Sequence, residues 1–346
     1  MTAVSEIPSL QNCYDTVRSQ TAVVIPVYLP PQVDQGQGVA LLRETTRSFC
    51  AQLADPSAVC LSVDGESYGA LAAQALAQKL GTRVYVAPRN RGKLAAARNG
   101  VQSLLRDPRF RYVAIVDQDG DHFAHELPNL VHVALHVAAH TGDDRSLVLG
   151  RRISRHRPMG FLRGELEEFA DRVLLDALTY RAAATGRPLR LEYATTLDEF
   201  PDFHSGYKLF SLRTAEAVFL SEPQRAGVPE DAYYRHACEA VMAVEALVHG
   251  AHLGVVNRST FNQQPISTFG LLDLSRLVAD KIIWPCKRLA VPVPFVRQWM
   301  ANHAPRLLLN TLAPAGQEEL ARIQQYVLAA YGQAPDPGPP LKPLFV

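Results

Sequence analysis

Three aspartates stand at every second position at the end of the short apolar segment RYVAIVDQDGDHF, and they are Asp117, Asp119 and Asp121. Alternate side chains of an extended backbone point to the same side. Mg²⁺ and Mn²⁺ prefer oxygen ligands and are commonly held by one or two carboxylates together with substrate phosphates. The pattern therefore predicts an Asp-x-Asp site in which Asp119 and Asp117 hold Mg²⁺ or Mn²⁺, whereas Asp121 belongs to the following loop.

Apolar segments with the composition of buried β-strands recur in the first third of the chain. The predicted strands cover residues 22–28, 58–64, 83–88 and 112–117, and the predicted helices between them cover residues 39–53, 68–80 and 93–105. Continuous rather than alternating apolarity indicates strands that are buried on both faces. Strands and helices in alternation predict an α/β fold with a mostly parallel sheet flanked by helices.

Polar residues follow each of these predicted strands. Because parallel sheets bind ligands beyond the carboxyl ends of their strands, we expect these residues to meet at one edge. They are Pro26 and Tyr28, then Asp64, then Arg91, Gly92 and Lys93, and finally Asp117 and Asp119. Acidic residues beside a basic loop suit a phosphate ligand that carries a metal ion. The chain has neither a Gly-x-Gly-x-x-Gly turn after its first strand nor a P-loop sequence, so metal and basic side chains are expected to hold the phosphates.

The order of these segments resembles the family 2 glycosyltransferases of the GT-A fold. The matching stretches are VVIPVY, LSVDGES, PRNRGKLAAARNG, YVAIVDQD, HSGYKLFS and PEDAYYRHA. The resemblance implies a GT-A fold and metal-dependent transfer of a sugar from a nucleoside diphosphate to a hydroxyl or phosphate acceptor. From the habits of the family, a UDP-sugar is favoured over a GDP-sugar as the donor, and the anomeric centre is expected to invert.

The resemblance also implies roles for individual residues. The nucleotide-sugar is expected to contact Pro26, Tyr28, Asp64, Arg91, Gly92, Lys93, Arg98, Asp117 and Gln118. Asp119 is expected to ligate the metal with Asp117, and His252 is the predicted third ligand. Asp231 is the predicted general base, next to Glu230. The predicted contacts to the acceptor or donor sugar are Ser205, Gly206, Tyr207 and Lys208.

The sequence departs from the family pattern in two places. The second strand reads VDGES where many members read VDDGS, and the Gln-x-x-Arg-Trp signature of processive synthases is absent, the nearest stretch being residues 263–267. A processive polymerase is therefore not expected. Two alternatives stay open, a sugar nucleotidyltransferase and a non-catalytic nucleotide-sugar-binding protein, since a fold alone does not fix an activity. A retaining outcome also stays open.

Four regions are predicted along the chain. Residues 1–20 form an N-terminal extension, residues 21–122 the nucleotide-binding half of the GT-A domain, and residues 123–265 its acceptor-binding half. Residues 266–346 form a helical C-terminal extension that ends in a Pro-rich tail.

Composition excludes some partners. Thirty-five Lys and Arg against thirty-four Asp and Glu give a formal charge of +1, which offers no argument for a nucleic-acid partner. Five widely spaced cysteines without a Cys-x-x-Cys pair indicate reduced thiols and a cytoplasmic protein. No segment has the roughly twenty apolar residues that would cross a bilayer, but residues 281–299 mix apolar and basic residues and leave a peripheral membrane contact open. The acceptor (small molecule, glycan or polyprenyl phosphate) and the oligomeric state also stay open.

Overall fold

A computed structural model describes residues 8–194, 200–261, 273–309, 313 and 316–333 of this protein. Within these residues a seven-stranded sheet forms the centre of the molecule. Its strands are β1 (Thr21–Val27), β2 (Val59–Val63), β3 (Arg83–Val86), β4 (Tyr112–Ile115), β5 (Ser146–Arg152), β6 (Lys208–Ser211) and β7 (His252–Arg258). The strands of the sheet lie in the order β3-β2-β1-β4-β6-β5-β7.

The sheet is mostly parallel. Strand β6 runs antiparallel to both of its neighbours, β4 and β5, and all other pairs are parallel. The carboxyl ends of β1, β2, β3, β4, β5 and β7 therefore share one edge of the sheet, which we call the carboxyl edge. The predicted α/β fold with a mostly parallel sheet is confirmed.

Helices cover both faces of the sheet and form the C-terminal part of the chain. They are α1 (Leu10–Gln20), α2 (Gln35–Gln52), α3 (Ala70–Leu80), α4 (Lys93–Leu104), α5 (Leu127–Thr141), α6 (His156–Met159), α7 (Phe161–Thr185), α8 (Leu212–Ala215), α9 (Cys238–Val248), α10 (Leu274–Arg288), α11 (Val293–His303) and α12 (Gly316–Ala330). Short π-helical turns cover Glu216–Leu220 and Ala232–His236.

Local sequence explains where several helices begin. The side chains of Ser9, Asp34 and Asp273 accept a hydrogen bond from a backbone N–H in the first turn of α1, α2 and α10. These are N-caps of the residue types that satisfy the free donors of a helix start. Helix α4 lies very close to the sheet at Gly100, where a Cβ atom would come within 2.5 Å of Val24 Cγ1. Only glycine fits at this crossing without a shift of the strand.

The C-terminal helices pack onto the rest of the protein through α10. Trp284 is fully buried, and Ile282, Ile283 and Cys286 beside it are almost fully buried. Most apolar side chains of residues 281–299, the segment that left a membrane contact open, are therefore core residues, whereas Phe295 is exposed. None of the helices in the described parts of the chain is both long and apolar enough to cross a membrane. The Pro-rich end of the chain lies outside the described residues.

All five cysteines are free thiols, as predicted. Four of them are buried and Cys50 is partly exposed. Burial raises the pKa of Cys50 to about 11 and that of Cys60 to about 12, so both are protonated near neutral pH.

Candidate functional site

A cavity of about 320 Å³ lies at the carboxyl edge of the sheet. One side, the β1–β2 wall, consists of Pro26, Val27, Tyr28, Asp64, Gly92 and Gln118. The other side, the α7–α10 wall, consists of Arg152, Pro158, Met159, Arg163, Glu167, His204, Leu277 and Lys281. Strands β2 and β5, which lead into the two walls, are four strand spacings apart in the sheet order, or roughly 19 Å. The cavity is therefore long enough to hold two chemical groups side by side.

Lys93 stands between the two walls and joins three segments of the chain. Its Nζ lies 2.6 Å from Asp117 Oδ1 and 2.8 Å from Glu239 Oε1. Burial alone would lower the pKa of Lys93, but the two carboxylates outweigh burial and raise it well above its usual value. Lys93 is therefore a permanent cation in the cavity, held by the end of β4 and the start of α9.

The conformation of the loop before Lys93 requires glycine at position 92. Gly92 has a φ of 122°, and a Cβ atom there would come within 2.5 Å of the backbone oxygen of Tyr234. The side chain of Asp64 fixes the loop, because its two carboxylate oxygens accept hydrogen bonds from the backbone N–H groups of Arg91 and Gly92, each at 2.8 Å. Burial raises the pKa of Asp64, and these two donors oppose that rise. The predicted contact of Asp64 with a nucleotide base stays a prediction.

Gln118 ties the ends of β1 and β4 together. Its amide donates to the backbone oxygen of Tyr28 at 2.6 Å and accepts from the Tyr28 N–H at 3.1 Å. The ring of Tyr28 packs on that of Tyr68 at 4.9 Å between ring centroids. Tyr28 thus presents a fixed aromatic surface to the β1–β2 wall, while the amide of Gln118 is engaged in holding it.

The two aspartates of the Asp-x-Asp pair lie in the cavity but differ in charge. Burial opposes ionisation of Asp117, but the ammonium of Lys93 outweighs it and lowers the pKa of Asp117. Burial, together with the negative charge of Asp117, raises the pKa of Asp119 to about 7. Asp119 is thus a carboxylate whose negative charge is poorly compensated, the electrostatic setting in which a bound cation is most favourable.

The described residues fit a divalent cation in the chemistry of their donors. Asp119 and Asp117 offer oxygen ligands at the mouth of a cavity, as hard cations require. Among the described parts of the chain, no group of three His, Cys, Asp or Glu side chains is already arranged around one point. Further oxygen ligands would have to come from a phosphate ligand or water.

The residues after the Asp-x-Asp pair support the loop that carries it. Asp121 Oδ1 accepts from the backbone N–H of Phe261 at 2.9 Å, and its Oδ2 lies 3.3 Å from the guanidinium of Arg258. His122 Nδ1 accepts from the N–H of Asp117 at 2.8 Å, which places its proton on Nε2 if the ring is neutral. Burial lowers the pKa of His122 well below its usual value, so the ring is neutral.

The structure corrects the prediction of His252 as a metal ligand. His252 pairs with Ser146 at the start of β5, and through β6 this level corresponds to Tyr112, the first residue of β4. Asp119 lies beyond the last residue of β4. His252 and Asp119 are therefore at opposite edges of the sheet and cannot share an ion. His252 instead contacts Glu192 Oε1 at 2.7 Å.

Glu230 and Asp231 are not among the residues that line the cavity. The Asp231 side chain is 70% exposed and pairs with Arg235 at 2.9 Å. Glu230 accepts from Arg91 Nε at 2.5 Å, and this hydrogen bond lowers the pKa of Glu230. The assignment of Asp231 as the base stays a prediction. In this conformation the cavity does not reach the Asp231 side chain.

Glu239 is an acid of α9 that does line the cavity. It stands in the first turn of α9, which begins at Cys238, after the helical segment that starts at Glu230 and continues as the π-helical turn Ala232–His236. Burial alone would raise the pKa of Glu239, but Lys93 and other cations outweigh it and lower it, so Glu239 is ionised. The sequence signal for Glu239 was weak, since it is one of two acids in the otherwise apolar run CEAVMAVEALV.

Of the four residues predicted to meet a sugar, Gly206 lines the cavity. A Cβ atom on Gly206 would come within 2.5 Å of Asp117 Oδ2, so glycine is required beside the Asp-x-Asp pair. Ser205 donates to the backbone oxygen of Gly150, and Tyr207 is fully buried with its ring stacked on His122. Lys208 is fully buried and donates to the backbone oxygen of Ser205.

Arg98 lies away from the cavity walls. It donates to the backbone oxygens of Val218 at 3.1 Å and Ser221 at 2.6 Å, and so connects α4 to the π-helical turn that follows α8. This contact gives Arg98 a structural role in addition to the predicted one. The charged residues of the α7–α10 wall, by contrast, were missed by sequence reasoning, because they come from three separate elements and share no motif.

Comparison with known proteins bears on the first half of the chain. Residues 22–174 match the family model described as glycosyl transferase family 2. This match confirms the resemblance predicted from the sequence. Comparison with curated proteins finds no match.

Two solved structures are similar to this chain at low identity. Glucosyl-3-phosphoglycerate synthase from Mycobacterium tuberculosis, in complex with Mn²⁺, UDP-glucose and phosphoglyceric acid, has a TM-score of 0.49 and 15% identity, covering 84% of this chain and 87% of that chain. TarS of S. aureus, residues 1–349, has a TM-score of 0.45 and 13% identity, covering 90% of this chain and 80% of that chain. Likenesses this distant leave the substrates of this chain open.

The buried Lys208 gives a pH-dependent stability that can be measured. Burial lowers the pKa of Lys208 to about 8 in the folded protein, compared with about 10.4 in the unfolded chain. Below pH 8 the buried charge destabilises the folded state, and this destabilisation is lost as the pH rises from 8 toward 10.4. Between pH 7 and pH 10 we therefore expect the wild type to gain about 2–3 kcal/mol of unfolding free energy relative to Lys208→Met. Urea unfolding of both proteins at both pH values measures the gain. An unchanged difference between the two proteins would show that Lys208 does not titrate in this range.

Proposed function

We propose that this chain, which carries a glycosyl transferase family 2 region at residues 22–174, transfers a sugar from a nucleoside diphosphate to a hydroxyl or phosphate acceptor. A UDP-sugar is the first choice of donor and a GDP-sugar the second. The observation that carries the proposal is the meeting of Lys93, Asp117 and Asp119 in one cavity with the loop that Asp64 holds. The five free thiols support the predicted cytoplasmic location.

The β1–β2 wall is suited to the nucleoside. Tyr28 offers an aromatic face, and Gly92 lines the cavity beside it. Arg235 also lines this region, and its guanidinium donates to the backbone oxygen of Asn90 at 3.3 Å. In this proposal the nucleoside lies against Tyr28 and the loop of residues 91–93, and the diphosphate extends toward Lys93 and Asp119.

Charge explains how the leaving group is stabilised. Negative charge grows on the diphosphate as the bond to the anomeric carbon stretches, and fixed positive groups stabilise that charge best. Lys93 is such a group, because Asp117 and Glu239 keep it protonated and in place. A Mg²⁺ or Mn²⁺ ion held by Asp119 and Asp117 would supply Lewis-acid stabilisation of the same charge when bound.

The acceptor hydroxyl must lose its proton during transfer. Of the two acids near α9, Glu239 lines the cavity whereas Asp231 is largely exposed outside it. We therefore place Glu239 ahead of Asp231 as the proton acceptor, with inversion of the anomeric centre as the expected outcome. The low pKa of Glu239 keeps it ionised and makes it a modest base.

The alternatives make different predictions. A sugar nucleotidyltransferase would make a nucleotide sugar from a nucleoside triphosphate and a sugar phosphate, and it would release pyrophosphate. A non-catalytic binding protein would bind the donor and never turn it over. Release of nucleoside diphosphate from a nucleotide sugar, with water as the acceptor if no other is known, separates the proposed function from both.

Binding of nucleotides in the presence of metal tests the donor site. We expect one nucleoside diphosphate, UDP first and GDP second, to raise the unfolding temperature by a few degrees when Mn²⁺ is present, because a ligand at a hundredfold excess over its Kd contributes about 2.7 kcal/mol. Asp119→Asn should lose the metal-dependent part of the shift. Glu66→Gln, a change of an exposed acid near the same edge, is the control and should keep it. If no nucleotide gives a Mn²⁺-dependent shift in the wild type, the proposed donor site is wrong.

Two isosteric variants decide which acid accepts the proton. Glu239→Gln should lower donor turnover at least a hundredfold while nucleotide binding persists, because a general base contributes typically that much. Asp231→Asn should stay within a few-fold of the wild type. Release of nucleoside diphosphate measures turnover, and the thermal shift from the preceding experiment confirms binding. Loss of turnover in Asp231→Asn alone would return the role to Asp231.

A further inference from the structure

The α7–α10 wall of the cavity carries charged side chains that have no role in the proposed binding of the donor. Arg163, in the first turn of α7, and Lys281, on α10, both line the cavity. Their side-chain nitrogens lie 3.4 Å and 3.0 Å from Glu167 Oε1. Two cations from separate helices thus converge on one oxygen at the surface of the cavity.

Arg152 adds a third cation to this wall, but its charge is already balanced. Its guanidinium contacts both oxygens of the fully buried Asp202, at 2.6 Å and 2.9 Å. It also contacts the second oxygen of Glu167 at 3.0 Å. Glu167 is therefore the shared carboxylate of Arg152, Arg163 and Lys281, and Asp202 is a second partner of Arg152 alone among these three.

Arg163 is a largely buried cation at the wall of the cavity. Burial lowers its pKa, and the carboxylates of Glu167 and Glu239 act in the opposite direction. A buried cation gains from an additional negative partner, and a guanidinium binds phosphate or carboxylate oxygens with good geometry. The wall is therefore better suited to an anion than to a neutral sugar.

A separate observation also points to a ligand at this wall. His204 lines the cavity, and its Nδ1 lies 2.7 Å from Asp171 Oδ1. Its Nε2 is buried and has no hydrogen-bond partner among the described residues. Buried polar atoms nearly always have a partner, so an atom of this kind at the wall of a cavity indicates a ligand or water.

We propose that the α7–α10 wall binds a phosphate group of the acceptor substrate, through Arg163 and Lys281 and with a hydrogen bond donated by Nε2–H of a doubly protonated His204, whose Nδ1–H is donated to Asp171. A phosphate monoester, with nearly two negative charges at neutral pH, matches two cations better than a carboxylate does. The inference rests on the proposed function in one respect: the anion is assigned to the acceptor because the donor is assigned to the β1–β2 wall.

Titration calorimetry with inorganic phosphate tests the proposal directly. The protein is first saturated with UDP and Mg²⁺, so that phosphate cannot bind where the diphosphate does. Arg163→Met and Lys281→Met should each weaken phosphate binding at least tenfold. Arg181→Met, a change of an exposed arginine on the same helix, is the matched control and should leave it unchanged. Glu167→Gln, which removes the competing carboxylate, should strengthen binding several-fold, and acetate should bind at least tenfold more weakly than phosphate.

Several results would overturn the assignment. Equal phosphate affinity in the wild type and in both cation variants would place the anion elsewhere, and so would the absence of phosphate binding to the wild type. If acetate bound as tightly as phosphate, the assignment of the anion as a phosphate group would be wrong. Arg163 is partly exposed, so Arg163→Met keeps the test valid if Lys281→Met does not fold. UDP binding is measured in the same samples. If UDP does not bind but Arg163→Met and Lys281→Met still weaken phosphate binding, the result counts against the proposed function and supports the anion site.

Discussion

The site depends on one buried ion triplet, the ammonium of Lys93 between the carboxylates of Asp117 and Glu239. The three residues are far apart in sequence, at the start of α4, after β4 and at the start of α9. Removing Lys93 would leave two buried carboxylates without their shared cation, which is strongly unfavourable. The triplet therefore fixes the relative positions of three segments, and the rest of the cavity is arranged around it.

The chain packs closely where these segments meet. Gly92 and Gly206 stand where any side chain would strike a backbone oxygen or the carboxylate of Asp117. Asp64 and Gln118 use their polar groups on neighbouring backbone and so hold the loops in place. The charges of the cavity are thus set in position before a ligand arrives, which lowers the cost of arranging them around a developing negative charge.

Sequence reasoning succeeded where a residue's position follows from its strand. Asp64, Lys93, Asp117 and Asp119 were expected at one edge because parallel strands end there, and all four line the cavity. The prediction of His252 as a metal ligand was wrong because His252 is the first residue of β7, and β7 begins at the edge of the sheet opposite to Asp119. Asp231 lies at the start of a helical segment as expected, but that segment continues as a π-helical turn with Asp231 outside the cavity, and α9 brings Glu239 into the cavity instead. Arg163, Glu167 and Lys281 could not be predicted, since only tertiary packing of α7 against α10 brings them together.

The central claim is that Asp119 holds a divalent cation beside a nucleoside diphosphate. The most direct measurement is the anomalous diffraction of crystals grown with Mn²⁺ and UDP. We expect an anomalous peak about 2 Å from a carboxylate oxygen of Asp119, with diphosphate oxygens as further ligands. Bound UDP with no peak at Asp119, or with the ion held by other residues, would contradict it.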